Sequence, residues 1–152
     1  MRFKLEQSTW VKDGNANALR IVYVFTDPNC PYCNQLWKAA RPWVEAGKVQ
    51  LRHVMVGVIR QDSPAKAAAI LEATSPQEAL AENELNYKDG GISPLKTIRP
   101  AMTKKLEDNA ALMTEIGFSG TPAIIFREAD GSIGKMAGLP QDAALEMILG
   151  PR

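Results

Sequence analysis

The sequence predicts an α/β fold in which a mixed sheet of four or five strands carries helices on both faces. Three observations lead there. A β-branched, apolar run at residues 21–25 ends in Thr26-Asp27-Pro28-Asn29 and passes directly into Cys30-Pro31-Tyr32-Cys33 and a helical pattern. A second β-branched run, residues 49–59, follows that helix after a short turn, which makes a βαβ unit with parallel strands and a right-handed crossover. Two short strands near the carboxyl end are separated by Glu128-Ala129-Asp130-Gly131, whose Asp-Gly pair favours a hairpin.

A short strand at about 9–12 precedes the run at 20–25, which has no polar face and reads as a central strand buried on both sides. From Pro31, Leu36, Trp37, Ala40 and Val44 form a helical apolar face that Gly47 stops, and Pro42 inside this helix should kink it. After the strand at 49–59 a helix starts at Pro64 behind the cap Ser63. Another starts at Pro76, with Ser75 and Glu78 placed as a capping box. Residues 88–94 are a loop by composition, and a helix from about 101 to 116 ends at Gly117. Strands at 123–127 and 132–137 and a helix at 140–149 complete the chain, without internal repeat or low-complexity segment.

At 152 residues and 45% hydrophobic composition, one domain with its own core is expected. Lys and Arg number 18 against 17 Asp and Glu, with no basic cluster, which argues against nucleic acid or anionic lipid as a partner. No window approaches the roughly 18 to 20 apolar residues of a membrane span. The first seven residues lack the apolar stretch of a signal peptide. A soluble chain is expected, either cytosolic or the mature or trimmed form of an exported protein.

Both cysteines of the chain lie in the Cys30–Cys33 tetrapeptide. A structural disulfide gains most when it closes a long loop, and this pair would close a very short one. Structural zinc wants four ligands, and the chain offers two thiols and a single histidine, His53. A redox-active pair is the leading reading, beside an incidental buried pair or half of an intermolecular metal site. The pair sits beyond the carboxyl end of a strand, where α/β sheets collect reactive groups. Cys30, at the helix start, faces free backbone N–H groups and the positive end of the dipole. Its thiol should ionise somewhere in the range of about 3.5 to 7.5 and act as nucleophile. Cys33, one turn deeper, should resolve the mixed disulfide by attacking the Cys30 sulfur. Pro31 fits the first helical turn and leaves the Cys30 region open, while Tyr32 has no evident chemical role. No cofactor is called for beyond the cysteine pair itself.

Other residues invite a blander reading. His53 lies in a strand and is expected to be structural or at the surface. Trp37 and Trp43 read as packing residues, and Met55, Met102, Met113, Met136 and Met147 as core filling. Asp27 either tunes Cys30 or simply ends the strand.

The order of elements, with Cys-x-x-Cys at the first strand-to-helix junction and Thr121-Pro122 just before the hairpin, resembles the thioredoxin fold along nearly the whole chain. The run Tyr23-Val24-Phe25-Thr26-Asp27-Pro28-Asn29-Cys30-Pro31-Tyr32-Cys33 is similar to the catalytic domain of the DsbG and DsbC family of periplasmic thiol:disulfide interchange proteins, on its DsbG side. Ala40-Arg41-Pro42-Trp43-Val44, Val56-Gly57-Val58-Ile59, Ser63-Pro64-Ala65 and Gly138-Leu139-Pro140 follow in family order. The resemblance implies a cis-proline loop at Thr121-Pro122 that faces the cysteines and binds substrate, with Thr121 the isomerase-type choice, and a helical insertion at about 64–116. It implies a disulfide isomerase or reductase working in the reduced state on client proteins with disulfides or oxidised cysteines, sulfenic acids included, and recharged by a membrane reductase of the DsbD type. It also implies a periplasmic location. Full-length members dimerise through an N-terminal domain absent from this sequence, which leaves the oligomeric state of this chain open. A DsbA-like oxidase, a chaperone-like peptide-binding module and a cytosolic thioredoxin-like reductant are the alternatives.

Overall fold

The computed structural model describes residues 2–152. A short helix, α1 (Arg2–Gln7), leads into β1 (Trp10–Asp13), β2 (Arg20–Thr26), α2 (Pro31–Ala39), α3 (Arg41–Glu45) and β3 (Val49–Met55). Then come α4 (Ser63–Leu71), α5 (Pro76–Leu85), a 3-10 turn at Tyr87–Asp89 and α6 (Pro100–Ile116). The hairpin β4 (Ala123–Arg127) and β5 (Ile133–Ala137) and the helix α7 (Asp142–Leu149) close the chain. The five strands form one sheet in the order β1-β3-β2-β4-β5. Only β2 and β3 run parallel; the other three neighbouring pairs are antiparallel.

The apolar run of β2 reads as central because it is. Val22 and Val24 point into a core shared with Leu36, Trp43 and Val44 of α2 and α3 and with Leu145 and Ile148 of α7. Tyr23 and Phe25 point the other way, into a core closed by Leu5 of α1 and by Leu112, Met113 and Ile116 of α6. A third cluster joins α4, α5 and α6 to Val11, Trp37 and Met55, so the three helices between β3 and β4 pack against the sheet and α2.

Four boundaries differ from the sequence expectation. The helix from Pro31 is interrupted rather than kinked: Ala40 ends α2 and serves as N-cap of α3, with Pro42 in the first turn of the second piece. Strand β3 stops at Met55, four residues early, because the N–H groups of Val58 and Ile59 turn to the Asp27 carboxylate instead of a neighbouring strand. Ser63 is the first residue of α4 and not its cap; its hydroxyl donates to Asp27. Helix α7 begins at Asp142, leaving Pro140 in the approach. Ser75 does cap α5, accepting from the Glu78 N–H at 3.3 Å. Gly117, at φ +111°, ends α6 as its sequence position suggests. No helix among the described residues is long and apolar enough to cross a membrane.

Candidate active site

The register of the sheet gathers the notable residues at one edge. Thr26 of β2 pairs with Met55 of β3, and Phe25 pairs with Ala123 of β4. The carboxyl ends of β2 and β3 and the amino end of β4 therefore lie together, which brings Cys30, the loop after Met55 and Thr121–Pro122 to the same side. The Thr121–Pro122 peptide is cis.

Cys30 is the N-cap of α2, in extended conformation, with Pro31 as the first helical residue. Its Sγ accepts the Cys33 N–H at 3.0 Å, and its N–H donates to the Asp27 carbonyl at 3.1 Å. The two cysteines form a disulfide with Cα atoms 5.1 Å apart. The N-cap sulfur thus occupies the position where a side-chain oxygen normally satisfies a free N–H, a position that favours negative charge. The Cys30 region is not open in this disulfide state: Cys30 is 2% exposed and Cys33 3%, since the Cys30 sulfur is turned into the helix start toward its partner and the Cys33 N–H. Tyr32, between them, is 57% exposed.

Asp27 ends the strand, and its carboxylate fastens two loops together. Fully buried, it accepts the N–H groups of Asn29 (2.9 Å), Val58 (2.7 Å) and Ile59 (2.9 Å) and the Ser63 hydroxyl (2.8 Å). Four donors stand in for a counter-ion. His53 is structural as expected, and buried: Nδ1 meets the Thr26 hydroxyl at 2.9 Å and Nε2 meets Asp13 at 3.0 Å. Arg41 binds both oxygens of Asp13 and stacks over Trp37 at 3.9 Å. Burial by itself would raise the Asp13 pKa, but the hydrogen bonds and charges of His53 and Arg41 outweigh it and hold the carboxyl at about 2.

Sequence reasoning missed a polar clasp that α4, α5 and the 3-10 turn close around the redox loop. Asn83 donates to the Pro28 carbonyl at 3.1 Å, the Tyr87 hydroxyl to the Asn29 carbonyl at 3.0 Å, and Lys66 to the Asn29 side chain at 2.9 Å. Asn34, in the turn after Cys30, donates to both the backbone and the carboxyl of Glu84, at 2.8 and 2.9 Å. Burial raises the pKa of Glu84 in spite of the hydrogen bonds from Asn34 and Asn83. One signal was present in α5: Asn83 and Glu84 follow Ala79 and Leu80 at helical spacing and so fall on the buried stripe.

The remaining candidates separate cleanly. Trp37 and Trp43 are buried in the core, the latter donating to the Gly150 carbonyl at 2.7 Å. Met55, Met102 and Met113 are core residues and Met136 packs at the edge of the core, whereas Met147 is exposed, because it falls on the outer face of α7 opposite Leu145 and Ile148. At the cis-proline loop the Pro122 carbonyl accepts the Gly138 N–H at 2.9 Å. The Thr121 hydroxyl is buried and makes no hydrogen bond among the described residues. No group of three or more His, Cys, Asp or Glu among the described residues is arranged to hold a metal.

A family model described as a thioredoxin-like domain matches residues 11–150. The chain is 52% identical over 149 residues to a thiol:disulfide interchange protein DsbG of Pseudomonas aeruginosa, covering 98% of this chain and 58% of that protein. It is 42% identical over 147 residues to the DsbG of Escherichia coli, covering 97% and 59%. The chain therefore spans less than two thirds of the length of these relatives. Among solved structures, a periplasmic thioredoxin-like protein from Salmonella enterica serovar Typhimurium superposes with a TM-score of 0.72 at 21% identity, covering 93% of this chain and 88% of that one.

Proposed function

Because the chain belongs to the thioredoxin-like domain family, we propose that it is a thiol–disulfide oxidoreductase acting mainly in the reduced state, as a disulfide isomerase or reductase on exported proteins. The observation that carries this reading is the Cys30 sulfur at the N-cap of α2 with the Cys33 N–H directed at it. A thiolate there keeps that hydrogen bond and gains from the helix dipole, so Cys30 is the nucleophile.

The Cys30 thiolate attacks one sulfur of a client disulfide. A Cys30–client bond forms, the client S–S bond breaks, and the second client sulfur leaves as a thiolate. Cys33 then attacks the Cys30 sulfur, closing the Cys30–Cys33 disulfide and releasing the reduced client, with two electrons passed from pair to client. In isomerisation the freed client thiolate attacks another client disulfide, and the thiolate displaced from it attacks the client sulfur of the mixed disulfide, which forms the rearranged client disulfide and releases Cys30 as a thiolate, still reduced. A client sulfenic acid reacts in the same way, with water leaving once its oxygen is protonated. The Thr121 backbone, beside cis-Pro122, lines up an extended client segment, while Pro31 and Tyr32 shape the approach. The oxidised pair is recharged by a dithiol donor, by family analogy a membrane reductase of the DsbD type in the periplasm.

The test is reduction of a client disulfide with dithiothreitol as electron source, alongside two variants. Cys30→Ser should abolish turnover, and Cys33→Ser, reduced beforehand and mixed with the client after the dithiothreitol is removed, should accumulate a Cys30–client mixed disulfide visible by non-reducing electrophoresis. Activity that survives Cys30→Ser removes the reading.

A further inference from the structure

The sheet face that packs on α1 and α6 is only half covered. Tyr23 and Ile125 are buried there with Leu5 of α1 and Leu112 and Met113 of α6, but Ile21, two residues before Tyr23 on the same face, is 38% exposed, and so is Ile133 of β5. A cleft of about 520 Å³ opens over this uncovered half, beside α1. Ile21 lies five residues before Thr26, about 17 Å along the strand, so the cleft is at the far end of the sheet from the cysteine pair.

The walls of the cleft carry an unbalanced charge. Arg2, Arg20, Arg52 and Arg127 line it against Glu6 and Glu128, four guanidinium groups to two carboxylates. None of these arginines makes an ion pair among the described residues. Three are held instead by neutral oxygens: Arg20 by the Met147 and Ile148 carbonyls at 3.3 and 3.2 Å, Arg127 by the Gly131 carbonyl at 2.8 Å, and Arg52 by the Gln50 side chain and the Tyr23 hydroxyl, both at 2.7 Å. Their positions are fixed, yet no carboxylate of the protein neutralises them. The Tyr23 hydroxyl accepts from Arg52, and its own proton meets no acceptor among the described residues. The arginines are far apart in the sequence, which is why no basic cluster shows there.

We infer that the cleft binds an elongated amphipathic anion, one carboxylate or sulfonate on an aliphatic or aromatic body, with the acid group at Arg52 and Tyr23 and the body along Ile21 and Ile133. The acid oxygens accept the Tyr23 proton and pair with the guanidinium, in a corner where Tyr23 is 7% exposed and water competes weakly. Arg52 is on β3 and Ile133 on β5, three strand spacings or about 14 Å apart across the sheet, which sets the length of the body. A bare anion lacks the apolar contact, and a cationic tail meets the wrong charge. Binding here requires nothing of the cysteine pair.

The test is isothermal titration calorimetry of the oxidised full chain with decanoate, decyltrimethylammonium and acetate, each kept below any micellar concentration. Decanoate should bind once per chain and about tenfold tighter than the cation of the same tail, a ratio equivalent to about 1.4 kcal/mol, and acetate should give no saturable heat. Tyr23→Phe, which keeps the ring in the core, and Arg52→Gln should each weaken decanoate by about tenfold. Ile133→Ser, at an exposed position, should weaken it as well, whereas Lys88→Gln, at an exposed cation outside the cleft, should leave it unchanged. Decanoate bound no better than the cation overturns the site, and so do Tyr23→Phe and Ile133→Ser variants that keep the parent affinity.

Discussion

Replacing Asp13 with Asn probes the ion network beneath α2, and its size can be worked from the geometry. Asp13 is buried at the end of β1 with Arg41 on both carboxylate oxygens and His53 on one. In the folded protein its pKa is about 2, against an ordinary 3.8. The ionised form is therefore favoured by the fold: the stabilisation is fully present above about pH 4 and is lost as the pH falls toward 2. At about 1.4 kcal/mol per pH unit the difference comes to about 2 to 3 kcal/mol. The amide of Asn also leaves Arg41 and His53 facing a neutral group, and removing one partner of a buried pair typically costs about 3 to 5 kcal/mol in all. Urea unfolding of the oxidised protein at pH 7, 5, 3 and 2 reads both quantities. The gap between parent and variant should be about 3 to 5 kcal/mol at pH 7 and should narrow by about 2 kcal/mol by pH 2, with the denaturant slope unchanged. A gap of the same size at pH 7 and pH 2 would refute the assignment of the low pKa to this network.

Glu84 should show the opposite pH dependence, because burial raises its pKa: parent stability declines as the pH rises beyond the ordinary value of 4.5, and Glu84→Gln removes that slope. Unfolding midpoints between pH 4 and 8 check this, and an advantage of parent over variant that grows with pH contradicts it. Gly57→Ala forces a Cβ against the Pro64 backbone and must displace the loop held by Asp27, at a cost of about 1 to 3 kcal/mol. A thermal midpoint equal to the parent's would show that the contact is not tight.

The sheet and the redox pair were legible in the sequence because each rests on a local signal. The two-sided burial of β2 is written in an unbroken apolar run, and the start of α2 in Cys-Pro. The positions that were misread depend on distant partners. Residues 56–59 have strand composition, yet the N–H groups of Val58 and Ile59 are captured by a carboxylate about thirty residues earlier, and no local pattern announces that. Ser63 stands where a cap belongs and is drawn away by the same carboxylate. Asp27 itself was open between tuning the thiol and ending the strand. Burial and four donors make it a structural hub, a role that becomes visible only when β3 is laid beside β2. The clasp from α5 was hidden because Asn83 and Glu84 look like surface residues until their helical register is compared with Leu80.

These polar contacts bear on how the pair can cycle between redox states. The bonds that fix the loop run to the Pro28 and Asn29 carbonyls, the Asn29 and Asn34 side chains and the Asp27 carboxylate, and none of them uses a sulfur atom. Only the S–S bond and the Cys33 N–H to Cys30 Sγ contact involve the cysteines' side chains. None of the frame's hydrogen bonds depends on the S–S bond, so reduction is expected to leave Cys30 at the N-cap. A site held in this way spends little free energy on reorganisation. The balance between dithiol and disulfide is then set chiefly by the chemistry at the two sulfurs: how well the Cys30 thiolate is stabilised at the helix start against the disulfide it replaces.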